Sequence, residues 1–238
     1  MDKGKIYDKK IKQIIEAERV LSILLIGAGA NTEKNNFNFL RDIDLFVITD
    51  ENYGFQRAVT ETEGVLFDIS YMSIKAFEKG MDEKLSFLIN ALQNCRIVYN
   101  INEGLEEYLN NIKDLYSIGP QKLSNEEVDY IRYKLYQDYE DILSRKGDIL
   151  NVRFLLTNLF YNILISYFKL NGYWIPKDKK ILSNIQKNDN ALYGLCKSFI
   201  QEEDSNSKLK SLDKILNYVL KPYGGIIRFW KRKKFPLV

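Results

Sequence analysis

Three aspartates stand where the sequence is otherwise apolar. Asp42 and Asp44 flank an isoleucine in RDIDLFVI, and Asp68 sits inside VLFDISYM. In an extended chain, residues two apart point to the same side, so Asp42 and Asp44 project together while Ile43 and Leu45 face the other way. Two carboxylates that close repel each other unless a cation lies between them. Magnesium is the natural partner, with manganese the alternative, because it takes a few carboxylates and leaves positions for water and phosphate oxygens. A lone D-x-D is more often a solvated strand edge. Asp68 shifts that balance, since a charge inside an apolar strand is costly without a partner. If its strand lies beside the first, three carboxylates can hold one or two ions against a nucleoside triphosphate and draw a proton from an incoming hydroxyl.

A second motif precedes them. Gly27, Ala28 and Gly29 form a turn leaving the apolar run LLIGAGA. A dinucleotide fingerprint fits it poorly: Thr32 occupies the third glycine position, and the crossover helix would have to form from the short, Asn-rich TEKNNFNFL. A Walker A loop fails for want of GK[ST]. What remains is either a turn with no ligand or one whose exposed backbone N–H groups contact the outer phosphates of a nucleotide.

Composition narrows the chemistry. The 238 residues contain no histidine, which removes the usual base of a Ser or Cys triad and the H-E-x-x-H zinc site. Chemistry must run on carboxylates, lysines, tyrosines or an oxygen-held metal, and oxygen ligation favours magnesium over zinc. Thirty-five basic and 32 acidic residues are mixed along the chain for a net charge of +3, which argues against a nucleic-acid partner. Cys95 and Cys196 are isolated, so neither a disulfide framework nor a Cys-type metal site is indicated. The opening DKGKIYDKKIKQ lacks signal-peptide form and ILLIGAGA is too short to span a bilayer, so a cytoplasmic protein without a membrane is expected.

The elements that must position these residues follow from periodicity. Helical spacing runs over 6–20, and strand-like runs lie at 22–26, 44–49, 65–72 and 96–99. Between them are the loop NTEKNNFN and a helix expected over 74–93. GLEEYLNNIKDLY reads as a connecting helix, and Gly119-Pro120 marks a break. Beyond it the pattern is all-helical. Ser124 with Glu127 is a capping box opening a helix to Arg145 or Lys146, with Gly147 as stop signal. Asp148 caps the long apolar FLLTNLFYNILISYFKL, and amphipathic stretches at 190–200 and 208–220 complete an expected four-helix bundle. The expected fold is α+β: residues 1–118 a mixed sheet with flanking helices, residues 119–238 an all-α bundle.

Strand, glycine turn, loop, D-x-D, apolar strand and a third Asp on a later strand together resemble the polymerase-beta-like nucleotidyltransferase superfamily. RDIDLFVI looks like its metal-binding strand, and ALQNCRIVYNINEGLEEYL is similar to the segment that closes that domain in many members. With a helical bundle following, the chain resembles the kanamycin-type and related small-molecule nucleotidyltransferases. The resemblance implies in-line attack by an acceptor hydroxyl on the α-phosphorus of ATP or another NTP, with pyrophosphate released. Asp42, Asp44 and Asp68 would hold the metal, and Gly27, Ala28 and Gly29 would contact the triphosphate. The active site is expected in the cleft between the two domains. One departure stands out: the family's turn carries Gly-Ser, whereas Gly27 is followed by Ala28 and Gly29 by Ala30. Triphosphate binding is therefore expected to be weaker or differently arranged.

In some aminoglycoside enzymes of the superfamily, a carboxylate from the helical domain serves as base. Here YQDYEDIL places Asp138 on the seam of Ile131, Leu135 and Ile142, which suits a base; an ion pair with Lys134 or Arg145 on the same helix is the competing reading. Glu140 and Asp141 are fallbacks. WIPKDKKIL offers Lys177, Lys179 and Lys180 to a phosphate, with Lys180 favoured because similar family segments end in lysine before an apolar pair. The tail RFWKRKKF reads as a charged helix end with buried rings, or as a contact to an anionic surface. The expected activity is magnesium-dependent transfer of AMP to a hydroxyl of a small, aminoglycoside-like molecule. A homodimer is allowed. The rivals are AMP transfer to a protein, as in antitoxin members, and a catalytically silent nucleotide-binding module.

Overall fold

The structure, a computed structural model, describes residues 2–145 and 147–231. The chain divides into two compact units, Met1–Ile118 and Gly119–Val238.

The first unit is α+β. Its helices are α1 (Lys3–Ala17), α2 (Ile74–Asp82), α3 (Ser86–Leu92) and α4 (Leu105–Ile118). Its strands are β1 (Val20–Ile26), β2 (Asp42–Thr49), β3 (Phe55–Thr62), β4 (Val65–Ser73) and β5 (Arg96–Asn100), in the order β3-β4-β2-β1-β5. β2 and β4 run parallel; the other three pairs among the described residues are antiparallel. A strand buried on both faces reads as a continuous apolar run, and β2 does so from Leu45 onward.

The two faces of the sheet are covered differently. On one, Ile43, Leu45, Phe67 and Ile69 pack with Ile6, Tyr7, Ile11 and Ile14 of α1. On the other, Leu24, Phe46, Ile48 and Met72 pack with Phe77, Leu88 and Leu92 of α2 and α3 and with Leu105, Leu109 and Ile112 of α4. By alternation, Asp42 and Asp44 lie on the face of Phe46 and Ile48. That face is apolar where it is packed under helices and acidic at the end where β2 begins.

Three features depart from the sequence reading. β3 was not expected. It forms a hairpin with β4 through Glu63 and Gly64, both at positive φ (49° and 75°), the geometry of a tight two-residue turn. The helix expected over 74–93 is two helices, broken where Lys84 takes φ 51°. The loop before β2 contains two 3₁₀ turns, Gly29–Asn31 and Lys34–Phe39, and is pinned by Phe37, which is fully buried edge-on against Tyr7 at 5.1 Å.

Among its described residues, the second unit packs five helices around one core: α5 (Asn125–Ser144), α6 (Ile149–Leu170), α7 (Ile181–Asn188), α8 (Asn190–Gln201) and α9 (Ser205–Leu220). The count exceeds four because α7 follows the lysine-rich segment directly. Both hydrogen bonds of the capping box form: Ser124 Oγ accepts from the Glu127 N–H at 3.3 Å, and Glu127 Oε2 accepts from the Ser124 N–H at 2.8 Å. Asp148 caps α6 by accepting from the Asn151 N–H at 3.1 Å. α6 is long and apolar enough to cross a membrane by length and composition alone. One side of it supplies Leu156, Leu159 and Ile163 to the core, while Leu150 and Phe154 are exposed. Ahead of the tail, Arg132 donates from Nε to the Gly225 carbonyl at 2.6 Å and from Nη2 to the Gly224 carbonyl at 2.8 Å. Trp230 meets the rings of Tyr130 and Tyr133, each at 5.6 Å. Lys146, and Arg232 to Phe235 of the basic tail segment, lie outside the described residues.

Candidate active site

Parallel pairing of β2 with β4 decides the placement of the acids. The register sets Asp44 beside Asp68 and Asp42 beside Leu66. Paired residues on neighbouring strands share a face, so Asp42, Asp44 and Asp68 all project from the same side of the sheet. Asp42 stands two residues back from the Asp44–Asp68 pair, about 6–7 Å along the strand. Among the described residues, no group of three or more His, Cys, Asp or Glu side chains converges tightly enough to hold a metal ion. The three acids share a face without closing into one ligand set.

An arginine shares this face. On β3, Arg57 pairs with Ser70 and Val59 pairs with Asp68, so Arg57 is the diagonal neighbour of Asp68 on the same face. Its Nε donates to Asp68 Oδ1 at 2.7 Å, and its Nη2 donates to Asp68 Oδ2, a two-pronged contact. The Asp68 hydrogen bonds, and then the Asp68 charge, raise the arginine's already high pKa; the charge of Asp44 adds to the effect. The Arg57 side chain is largely exposed, 61% accessible against 19% for Asp68. The acidic face therefore carries its own positive charge.

Gly27 follows β1 directly, next to Ile26, the residue that pairs with Asp44. It adopts φ +64°, and a Cβ built there would lie 2.4 Å from Asp44 Oδ2 and 3.2 Å from its Cγ. The missing side chain is thus what lets the Asp44 carboxylate lie against the turn. Ala28 and Gly29 continue the turn. Gly29 is buried, and a Cβ on it would press on Leu25 Cδ1 at 2.9 Å. The turn does hold a hydroxyl, although not where a Gly-Ser pair would put it: Thr32 Oγ1 donates to the Ala28 carbonyl at 2.8 Å, while the Thr32 N–H donates to the Gly29 carbonyl at 3.1 Å.

The donor set fits a hard divalent cation in kind. It is all oxygen, with two adjacent carboxylates and a turn free of side-chain bulk, and Arg57 is the group that has to yield.

The remaining site candidates belong to the second unit. Asp138 is half-buried beside the buried Leu135 and Ile142 and forms an ion pair with Lys134. Asp141 pairs with Arg145 at 2.6 Å. Asp138 lines two adjoining hollows between α5 and α6, about 230 and 210 Å³, that share Lys134 and Asn162. Across them α6 presents Asn158, Asn162 and Ser166, a ladder of polar side chains four residues apart on a mostly apolar helix. The ladder escaped the sequence analysis, which took this helix as long and apolar. Lys180 is exposed in the 3₁₀ turn Asp178–Lys180 ahead of α7, where its carbonyl accepts from Ser183 Oγ and Asn184 Nδ2; it does not line those hollows.

Neither a protein-family model nor a curated protein matches the sequence. Among solved structures, the chain is similar to a nucleotidyltransferase-like protein from Exiguobacterium sibiricum 255-15. The TM-score is 0.51 at 10% sequence identity, covering 92% of this chain and 74% of that one.

The two proteins share a fold. At that identity the likeness is one of backbone arrangement, and the reading of the acids rests on this chain's own geometry.

Proposed function

We propose that this protein is a cytoplasmic nucleotidyltransferase that moves a nucleoside monophosphate, AMP first, from a nucleoside triphosphate to a hydroxyl of a small molecule. The observation that carries this reading is the side-by-side placement of Asp44 and Asp68 against the side-chain-free Gly27. Asp42 and Asp44, joined by Asp68, would hold magnesium, or manganese in its place. When bound, the ion would offset charge on the phosphates and lower the pKa of a coordinated hydroxyl. The rest falls to the chain. The backbone N–H groups of Gly27, Ala28 and Gly29 are the proposed donors to the outer phosphate oxygens. The carboxylates orient the reacting phosphoryl group and favour loss of the acceptor's proton as attack begins.

For the acceptor, the polar ladder of α6 facing Asp138 and Lys134 is a suitable surface. Amides, hydroxyls and paired charges in a shallow groove suit a hydroxyl-rich molecule. An aminoglycoside-like acceptor is the first candidate, because Asp138 and Asp141 could receive its amines. Those amines would have to replace Lys134 and Arg145 as partners.

The test is pyrophosphate release from each of the four nucleotides across a panel of acceptors, with Asp44→Asn as control. Release by wild type and a loss of about a thousandfold or more in the control support the reading. Equal release by both places the activity elsewhere. One observation favours a second reading, a silent nucleotide-binding module: Arg57 already neutralises Asp68. Nucleotide binding with no turnover on any acceptor would select it.

A further inference from the structure

The Arg57–Asp68 contact is built rather than incidental. A two-residue turn at Glu63 and Gly64 sets the β3–β4 register, and that register places Arg57 diagonal to Asp68. The guanidinium engages both carboxylate oxygens while the Arg57 side chain as a whole stays largely exposed, and it also lies within the field of Asp44. A planar fork of this kind meets carboxylate and phosphate oxygens equally well. Release from Asp68 therefore leaves it with a ready second partner when that partner is a phosphate.

We infer that Arg57 is an exchangeable counter-cation. It holds Asp68 in the nucleotide-free protein, gives that carboxylate up when a divalent ion arrives, and then binds phosphate oxygens of the incoming triphosphate. The inference rests on the nucleotidyltransferase reading of the acidic face. It makes Arg57 a nucleotide-selecting residue: an ion alone must compete with the guanidinium, whereas an ion carrying a triphosphate supplies the guanidinium with a new partner. No covalent step is involved, and the exchange conserves charge on Asp68. The sequence carried a faint signal for it, since Phe55, Arg57, Val59 and Glu61 alternate on one side of FQRAVTET before the Glu63-Gly64 turn.

The experiment uses the full chain and reads binding, not turnover. Manganese affinity is measured by electron paramagnetic resonance for wild type, Arg57→Gln, Arg57→Lys and Asp44→Asn. The measurement is repeated with the α,β-methylene analogue of ATP, which cannot transfer its nucleotide. Circular dichroism confirms that each variant is folded. Arg57→Gln is expected to bind manganese alone about tenfold more tightly, as when one positive charge a few ångströms away is removed from a half-solvated site. Arg57→Lys, which keeps the charge and loses the fork, is expected to stay close to wild type for manganese alone. Both variants are expected to bind the manganese–analogue complex less tightly than wild type does.

Unchanged manganese affinity in Arg57→Gln, with binding lost in Asp44→Asn, overturns the inference and leaves the metal reading standing. Tighter binding of the analogue in step with tighter manganese binding overturns the phosphate role. Manganese binding that is absent throughout, or indifferent to Asp44→Asn, overturns both this inference and the reading beneath it.

Discussion

Replacing Gly27 by alanine tests the geometry on which the acidic site depends. Two penalties are predicted. An L-residue held at φ +64° costs about 1–2 kcal/mol relative to glycine. The new methyl also sits 2.4 Å from Asp44 Oδ2, far inside contact distance, so the carboxylate or the turn must move; forced overpacking of this kind costs about 1–3 kcal/mol. Together they come to roughly 2–5 kcal/mol, which for a unit of this size lowers the thermal transition of the unit that carries Gly27 by on the order of 10–20 °C.

The design separates the two penalties. Asp44→Ala removes the Oδ2 and Cγ contacts and leaves only Asp44 Cβ at an ordinary 3.5 Å. The double variant Gly27→Ala/Asp44→Ala should therefore recover the steric part and keep the backbone part, a coupling of about 1–3 kcal/mol in a double-mutant cycle. Gly29→Ala is the control: Gly29 does not take a positive φ, so only the steric penalty against the buried Leu25 side chain at 2.9 Å applies and a smaller loss is expected. The assay is thermal and chemical unfolding of the full chain. A Gly27→Ala protein as stable as wild type, or additive effects of Gly27→Ala and Asp44→Ala, would refute the close approach of Asp44 to the turn.

Other outcomes follow from the same structure. Burial pushes Tyr7, Tyr71 and Tyr167 up to about 12 from an ordinary 10.0, and Cys196 up to about 12 from 9.0. The folded protein keeps these groups protonated after the unfolded chain has released the protons, so their contribution is complete below about pH 9 and declines as pH rises toward 12. Denaturation midpoints measured across that interval should fall, and Tyr167→Phe should blunt the fall in the second unit; a flat profile refutes the assignment. In the α5–α6 groove, Asn162→Leu is expected to raise the KM for the acceptor severalfold while leaving binding of the manganese–nucleotide complex unchanged, as removing a polar contact to acceptor alone would do. Weakened nucleotide binding in that variant would assign the groove to something other than the acceptor.

The chain announced its elements wherever a local rule had one strong reading. β2 was legible because an unbroken apolar run leaves a strand little choice, and α5 because the Ser124–Glu127 box writes its start into four residues. β3 was missed because it lies at the sheet edge with its side chains largely exposed, and its turn uses Glu63 where Asn or Asp is the usual mark. The break at Lys84 carries neither glycine nor proline, so periodicity ran straight through it. The likeness of fold agrees with the order of motifs in the sequence, although at 10% identity little of it is seen residue by residue.

The candidate site divides the same way. That Asp42 and Asp44 share a face follows from the two-residue period of a strand, and no partner is needed to know it. That Asp68 stands beside Asp44, and not a residue to either side, was decided by the parallel register of β2 on β4, a long-range choice made by the apolar residues beneath. The claim of Arg57 on Asp68 depended on a third strand that the sequence did not declare. Local chemistry is encoded by neighbours along the chain; which charge neutralises which is set by pairing between strands, because electrostatic partners are chosen by distance in space and not by position in sequence.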